Sequence, residues 1–433
     1  MKWSCGTALS AAAGIVWGLA SPQSAEAIPA FARKYSLSCT ACHEAWPKLN
    51  DFGRAFRDNG YRLKTGTDDP TDQVPAYWPV SLRTSPGYSY TTTSNQATDE
   101  GLRALKTGSF EHPEADILAG GTVASKVSFL AVIAGFGKDS MAAIESAWVR
   151  LDDLGGTSWL NLKLGKHEVD QPRSGHRGLT LTQGYLVYSH RPGGDANSLD
   201  FDLAENQLGI ELAGHDRGSH TRYAVSMVTA NGALGSDAFI SSPTLYAHAT
   251  HRFHPAPRGL RQVRVGAFGA LGWSPSRFAT EGGQPVPGSG HDNKRFSRVG
   301  GELGLWFGPL ATPAAITAVL ARGSEARELF AESQRDAIWY GGFVQAEATP
   351  RLSMTVFSRY DWIRNHQQPL DGFASSYRDE DALTGGLRYA LVYSNRAATA
   401  WHAEYTWRRT RAIGAAGLDI ATRQFFAAID FAF

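Results

Sequence analysis

Three cysteines and four methionines are all the sulfur this 433-residue chain contains. Cys5 precedes an apolar run close to the amino terminus, which leaves Cys39 and Cys42 for the body of the protein. Two thiols alone do not make a structural zinc site, which needs a second ligand pair. A thioredoxin-like dithiol would need a surrounding βαβ pattern, and none is visible. Charge is also scarce as a signal: the net value is +1, so bulk electrostatics do not point to nucleic acid. Beyond residue 27 no apolar run is long and uniform enough for a membrane helix. No nucleophile or general-base constellation stands out, so no catalytic residue is assigned.

What is present begins with Cys39-Thr40-Ala41-Cys42-His43, the spacing of a c-type haem attachment site. Two thiols three positions apart each form a thioether to one haem edge, and the adjacent imidazole reaches the iron. The cofactor-binding residues expected are therefore Cys39, Cys42 and His43, with His43 the iron ligand and one covalently attached haem c the cofactor. Such attachment requires export. Lys2, the apolar run Ala8 to Ala20, and Ala25-Glu26-Ala27 fit a secretory signal over residues 1–27, with cleavage near Ile28.

The rest of the chain alternates. In Trp401 to Arg408 the odd positions are mostly apolar and the even ones polar, and Leu160-Leu162-Leu164, Tyr223-Val225-Met227, Val263 to Trp273 and Leu387 to Tyr393 repeat the pattern. The closing run puts Phe425, Ala427, Ile429, Phe431 and Phe433 on one face and Phe426, Ala428, Asp430 and Ala432 on the other. A soluble barrel hides its apolar face; a membrane barrel turns it to lipid and keeps residues such as His402, Glu404 and Arg408 in the lumen. Glycine at 46 positions and 48 aromatic residues suit strands, tight turns and aromatic girdles. The expectation is all-β: an antiparallel transmembrane barrel over 76–433 of roughly 16 strands, both ends on the periplasmic side. Ser274 to Ser297 and Asn365 to Asp381 read as its long outer loops.

Residues 28–75 form the haem segment. Leu49, Phe52, Phe56 and Tyr61 are spaced for one short amphipathic helix. So small a unit rarely buries enough to stand alone, and the segment is expected to fold inside the barrel or against its mouth. After His43 it contains no further His or Met for a distal iron ligand. Water, the new amino terminus, Lys34, Lys48 or Lys64 remain open, as do the barrel residues His112, His167, His176, Met141, Met227 and Met354. Arg33, Lys34, Lys48, Arg54, Arg57, Arg62 and Lys64 outnumber Glu44, Asp51 and Asp58; docking to an acidic partner, pairing with haem propionates and a solvated face are all open. Luminal acids such as Glu404, Asp361 and Glu145 could attract a divalent cation, but such charges are ordinary in porins and none is assigned as a site. His248, His251 and His254 tempt a metal reading, but i and i+3 on a strand point to opposite faces, so a strand end or turn is expected there.

The run Ile28 to Tyr61 resembles the fused monohaem cytochrome–porins of iron-oxidising bacteria. The matching residues are Phe31-Ala32-Arg33, Cys39, Cys42, His43, Pro47, Leu49, Phe52, Gly53 and Asn59-Gly60-Tyr61, with a diffuse likeness at Leu162 to Lys166, Gln171-Pro172 and His176-Arg177. The resemblance implies a Gram-negative outer-membrane oxidoreductase or electron carrier. It would oxidise extracellular Fe(II) through the haem and pass electrons to a periplasmic cytochrome or copper protein, with outer-membrane lipid around it. Three alternatives stay open: a solute channel in which haem only plugs the pore, a soluble periplasmic β protein with a haem sensor, and a conduit running electrons outward.

Overall fold

The computed structural model describes residues 30–35, 37–45, 48–63, 79–98, 101–113, 115–135, 143–176, 178–192, 201, 203–229, 243–254, 259–275, 279–281, 284–286, 293–308, 312–329, 335–351, 353–366, 378–394, 397–412 and 419–433. The expected signal over 1–27, the boundary at 75/76, Lys64 and Met141 lie outside them.

Alternation makes the barrel. In Thr244–Phe253, side chains at Thr244, Tyr246, His248, Thr250 and Arg252 are buried and those between them are mostly exposed. The same two-residue period runs through the other long strands, and each pairs antiparallel with its chain neighbour until the sheet closes. Two strands are each interrupted once. Val80–Thr84 continues as Gly87–Thr98 (β1), pairing in one unbroken register with the last strand, from Phe431 opposite Thr84 to Thr422 opposite Thr93. Gly101–Glu111 continues as Ala115–Ala124 (β2), slipping by one residue against β1. Pro86 and Pro113 sit in the two gaps, where a missing N–H breaks the ladder.

The remaining strands are β3 (Val127–Ala134), β4 (Ala143–Leu151), β5 (Asn161–His167), β6 (Gln207–His215), β7 (Thr221–Thr229), β8 (Thr244–Phe253), β9 (Leu260–Pro275) and β10 (Asn293–Phe307). They continue with β11 (Ala314–Glu325), β12 (Ala337–Arg351), β13 (Met354–Asn365), β14 (Arg378–Tyr393), β15 (Ala398–Ala412) and β16 (Ile420–Ala432). The wall thus has the expected sixteen strands, formed by eighteen bonded segments. An even count returns both ends to one rim, where Leu82 and Phe433 exchange backbone hydrogen bonds of 2.8 and 2.9 Å. The tight turn at 125–126 lies on that rim, so it is the periplasmic one.

The faces are inverted relative to a soluble barrel. Leu245, Val265, Leu303, Tyr405 and Phe425 stand outward and exposed, with Leu320 at 61%, while Arg298, Thr317, Arg359, Arg388 and His402 are buried inside. This is the polarity of a barrel solvated by lipid. The outer loops differ from expectation at their ends: β9 and β10 carry the ladder to Pro275 and from Asn293, so strand takes up residues 274–275 and 293–297 of the expected loop.

One connection runs against the expected polar lumen. The described residues of the chain between β5 and β6 (168–176, 178–192, 201 and 203–206) fold into the barrel. Val169, Tyr185, Leu186, Val187, Tyr188, Phe201 and Leu203 pack there against Tyr246, Phe268, Phe296, Trp339 and Phe343 of the wall. Tyr185 lies 4.4 Å from Phe343, centroid to centroid. Each fully buried large apolar side chain of this kind stabilises by roughly 1.5–3 kcal/mol, which holds the segment across the lumen. The wall beside it is low: β3 to β7 have 7 to 9 residues, whereas β9, β10 and β14 have 15 or 16.

Candidate functional site

The amino-terminal segment is a small folded plug. Helix α1 (Ala30–Tyr35) leads to the single turn α2 (Cys39–Cys42), a short pair of His43–Ala45 with Lys48–Leu49, and α3 (Asp51–Asp58). Asn50 caps α3, its side chain accepting from Gly53 N at 2.8 Å, while its own backbone N–H donates to Cys42 O at 2.9 Å. This locks α3 onto the cysteine turn. A Cβ at Gly53 would lie 2.2 Å from Cys42 O, so only glycine permits that approach. Phe31, Tyr35, Phe56 and Tyr61 form the plug's own core, with Phe31 and Tyr61 stacked at 4.3 Å. The expected helix is present but shorter than its spacing suggests. Leu49 precedes it, Tyr61 follows in a left-handed turn (φ 59°), and Phe52 is 44% exposed.

The plug occupies the periplasmic mouth. Cys39 N donates to Ser394 O in the β14–β15 turn at 3.1 Å. Arg62 donates to Ser125 O at 3.1 Å and pairs with Asp153 at 2.8 Å, tying the plug to the β2–β3 and β4–β5 turns. Arg33 donates to Val80 O, and Lys34 Nζ lies 2.7 Å from Thr122 Oγ1. Lys48 reaches Glu347 of β12 at 2.6 Å and Glu44 at 2.5 Å. Arg150 of β4 donates to the Arg57 and Asp58 carbonyls at 3.1 and 2.5 Å. The basic residues at 33, 34, 48 and 62 thus hold the plug within itself and to the barrel.

From the opposite side the inward segment meets it. Arg173 also pairs with Glu347, so this carboxylate joins segment and plug. Asp170 pairs with Arg222 and with His248 Nδ1 at 2.8 Å, and His248 Nε2 lies 3.3 Å from Glu302. Burial alone would raise the Asp170 carboxyl; Arg222 and His248 outweigh it and hold it far below the usual range.

Between plug, inward segment and the low wall lies a cavity of about 310 Å³, within the range of ligand sites. Cys39, Cys42 and His43 line it, with Phe31, Phe56, Leu118, Leu130, Val132 and Trp148 as apolar surface and Arg57, Arg150 and Arg222 as cations. Among the described residues both thiols are free. Burial pushes Cys39 up to about 11, with Cys42 adding to it, and burial raises Cys42 as well. A redox dithiol works through a lowered attacking thiol, and burial here acts in the opposite direction. Two thiols and an imidazole facing one partly apolar cavity with arginines at its edge fit a thioether-bound haem. Apolar surface suits the macrocycle, and guanidinium groups suit its carboxylates.

The cavity gathers His167 and His176 from the distal candidates, and adds His215, which the sequence reading missed. His112 lies outside the cavity, beside Thr84. Met227 faces outward on β7, and Met354 begins β13 away from the cavity. Lys34 and Lys48 are engaged with barrel residues.

The luminal acids are likewise committed. Glu404 accepts from the backbone N–H groups of Leu181 and Thr182, both at 2.9 Å, and lies 2.9 Å from His402 Nε2. Asp361 takes Arg359 Nε at 2.6 Å. Glu145 lies 3.2 Å from His176 Nδ1. The His248 triplet is split: His248 is buried inside β8, His251 meets Thr221 at 2.7 Å, and His254 meets His220 edge-on beyond the strand end. Among the described residues no cluster of three or more His, Cys, Asp or Glu side chains is placed to hold a metal ion by itself.

No family model matches the chain, and no curated protein does. Solved structures do. The anion-selective porin from Comamonas acidovorans aligns over 82% of this chain and 99% of its own, at 13% identity and a TM-score of 0.51. The outer membrane channel DcaP of Acinetobacter baumannii aligns over 82% and 97%, at 10% identity and 0.49. OprB of Pseudomonas putida aligns over 82% and 94%, at 11% identity and 0.47. The first likeness shows the fold alone. Together with the inverted faces, it makes this chain a porin-like, sixteen-stranded β-barrel of the Gram-negative outer membrane.

Proposed function

We propose that this barrel is a one-electron carrier of the outer membrane, bearing one haem c and passing electrons from extracellular Fe(II) to a periplasmic cytochrome or copper protein. The observation that carries the reading is the single cavity onto which Cys39, Cys42 and His43 all open. Cys39 and Cys42 would hold the haem edge by thioethers, and His43 would bind the iron from one side. The haem supplies a one-electron couple, matched to Fe(II) and Fe(III). The chain's own residues do the rest. The plug fixes the cysteine turn against the barrel through Cys39 and Arg62, and Phe31, Phe56, Leu130 and Val132 keep water from the cavity. Arg57, Arg150 and Arg222 stand where carboxylates would need cations. The periplasmic position of the plug supports hand-over on that side. Fe(II) as donor rests on the resemblance of Ile28 to Tyr61.

The porin-like fold supports a second reading, a solute channel whose mouth the plug occupies. Against an open pore stand the plug on one side and the apolar inward segment on the other.

The test is expression of the full chain with c-type haem maturation, isolation of outer membranes, and anaerobic addition of Fe(II) while the haem absorption bands are followed. Covalent haem, lost in a Cys39→Ala, Cys42→Ala double variant and reduced promptly by Fe(II), supports the proposal. A haem reduced by dithionite but indifferent to Fe(II) removes iron as donor. No covalent haem, with steady ion conductance in planar bilayers, replaces the proposal with the channel.

A further inference from the structure

We infer that the distal ligand of the haem iron is His215, a residue of the barrel wall; this rests on the haem reading above. The plug cannot complete the iron from the usual residues, because residues 44–75 contain neither His nor Met. A haem iron with a second His or Met ligand then draws it from outside the plug, and among the described residues the shared cavity offers His167, His176 and His215.

His215 has the donor chemistry of a metal-binding imidazole. Its Nδ1 lies 2.7 Å from the carbonyl oxygen of Asp216, so Nδ1–H donates and the lone pair is left on Nε2. Nε2 is buried and has no hydrogen-bond partner, in a side chain only 6% exposed. A backbone carbonyl fixing one ring nitrogen while the other faces a metal is the usual support of such ligands. A buried histidine that merely ends a strand would leave that nitrogen unexplained.

His167 shares the chemistry. Its Nδ1 lies 3.0 Å from Gly165 O, and its buried Nε2 has no hydrogen bond, with the Glu211 carboxylate 3.8 Å away. Depth separates the two. His215 ends β6 at the periplasmic rim, its N–H donating to Ser158 O in the β4–β5 turn region. Cys39 bonds the β14–β15 turn on the same rim, and His215 is within electrostatic reach of Asp58 at the end of α3. His167 is paired with Gln207, at the other end of β6. Eight residues at about 3.3 Å each put it roughly 26 Å further along the strand, away from the cysteine turn. His176 belongs to the inward segment and sits by Glu145 of upper β4.

The experiment uses the full-length, haem-matured protein in detergent, with covalent haem verified by mass. Absorption and electron paramagnetic resonance then report the ferric spin state. The wild type is expected to be six-coordinate and low-spin. His215→Ala is expected to turn high-spin and to return to low-spin when imidazole is added. His215→Met keeps a ligand of similar reach, and is expected to stay low-spin with a raised potential. His167→Ala and His176→Ala are expected to leave the spectrum unchanged. A low-spin His215→Ala, a high-spin wild type, or a switch on His167→Ala or His176→Ala instead would each overturn the assignment while the haem reading stands. A wild type without covalent haem would overturn the haem reading, and the assignment with it.

Discussion

Arg62 and Asp153 form a buried ion pair at 2.8 Å, joining the end of the plug to the turn between β4 and β5. Asp153 takes a left-handed backbone (φ 52°) to present its carboxylate, and the same guanidinium also satisfies Ser125 O in the neighbouring turn. Breaking such a pair from one side leaves a buried charge uncompensated, at about 3–5 kcal/mol. Arg62→Met should therefore release the plug. Limited proteolysis of the outer-membrane protein should cut within residues 30–63 much faster than in the wild type. Equal cutting rates would mean that the pair does not hold the plug.

The hold of the plug should also fail in acid. Burial alone would raise the Asp58 carboxyl, but Arg222 and Arg57 outweigh it, against the opposing charge of Asp170, and keep it well below the usual range. A carboxyl lower in the folded than in the unfolded state binds fewer protons when folded. Its stabilisation is complete above about pH 4, its unfolded range, and is lost as pH falls further. Plug release followed by the same proteolysis (with an acid-active protease) should rise below that pH, and Asp58→Asn should flatten the rise. A profile identical in both proteins would place the acid response elsewhere.

Gly53→Ala should disturb the cysteine turn without touching a cysteine. The added methyl meets the Cys42 backbone at 2.2 to 3.0 Å, which cannot move aside as a flexible side chain would. Overpacking of this kind costs about 1–3 kcal/mol. The expected result is less haem-loaded protein per barrel, measured as the ratio of haem absorbance to protein in purified outer membranes. An unchanged ratio and unchanged melting would show that α3 does not rest on the turn.

Glu404 should govern the inward segment. Its carboxylate accepts from the part-buried backbone N–H groups of Leu181 and Thr182. Glu404→Ala should leave them unpaired at about 1–3 kcal/mol. Hydrogen exchange at Leu181 and Thr182 should speed up by an order of magnitude or more, while the β12–β16 ladder stays protected. Unaltered exchange at those amides would argue that the aromatic packing of Tyr185 and Phe343 alone holds the segment.

The sequence by itself determined the wall and the attachment motif. Alternation in runs such as Trp401 to Arg408 is a local property, because successive side chains on a strand point to opposite faces wherever the strand lies. Phe425 and Ile429 outside, and Phe426 and Asp430 inside, follow from parity alone. The spacing of Cys39, Cys42 and His43 is equally local. Tertiary structure decided what lies inside the wall. Residues 168–206 carry no period that marks them for the lumen, and their apolar side chains find partners on six or more strands distant in sequence. His215 carries no local mark in the sequence, since only the fold sets it on the cavity that the cysteine turn lines. The plug's basic residues stayed open between an acidic partner, haem propionates and a solvated face, because their carboxylate and carbonyl partners, Asp153, Glu347 and Val80, lie tens to hundreds of residues away. Pairing across that separation depends on barrel closure, which brings distant turns onto one rim and which no local pattern encodes.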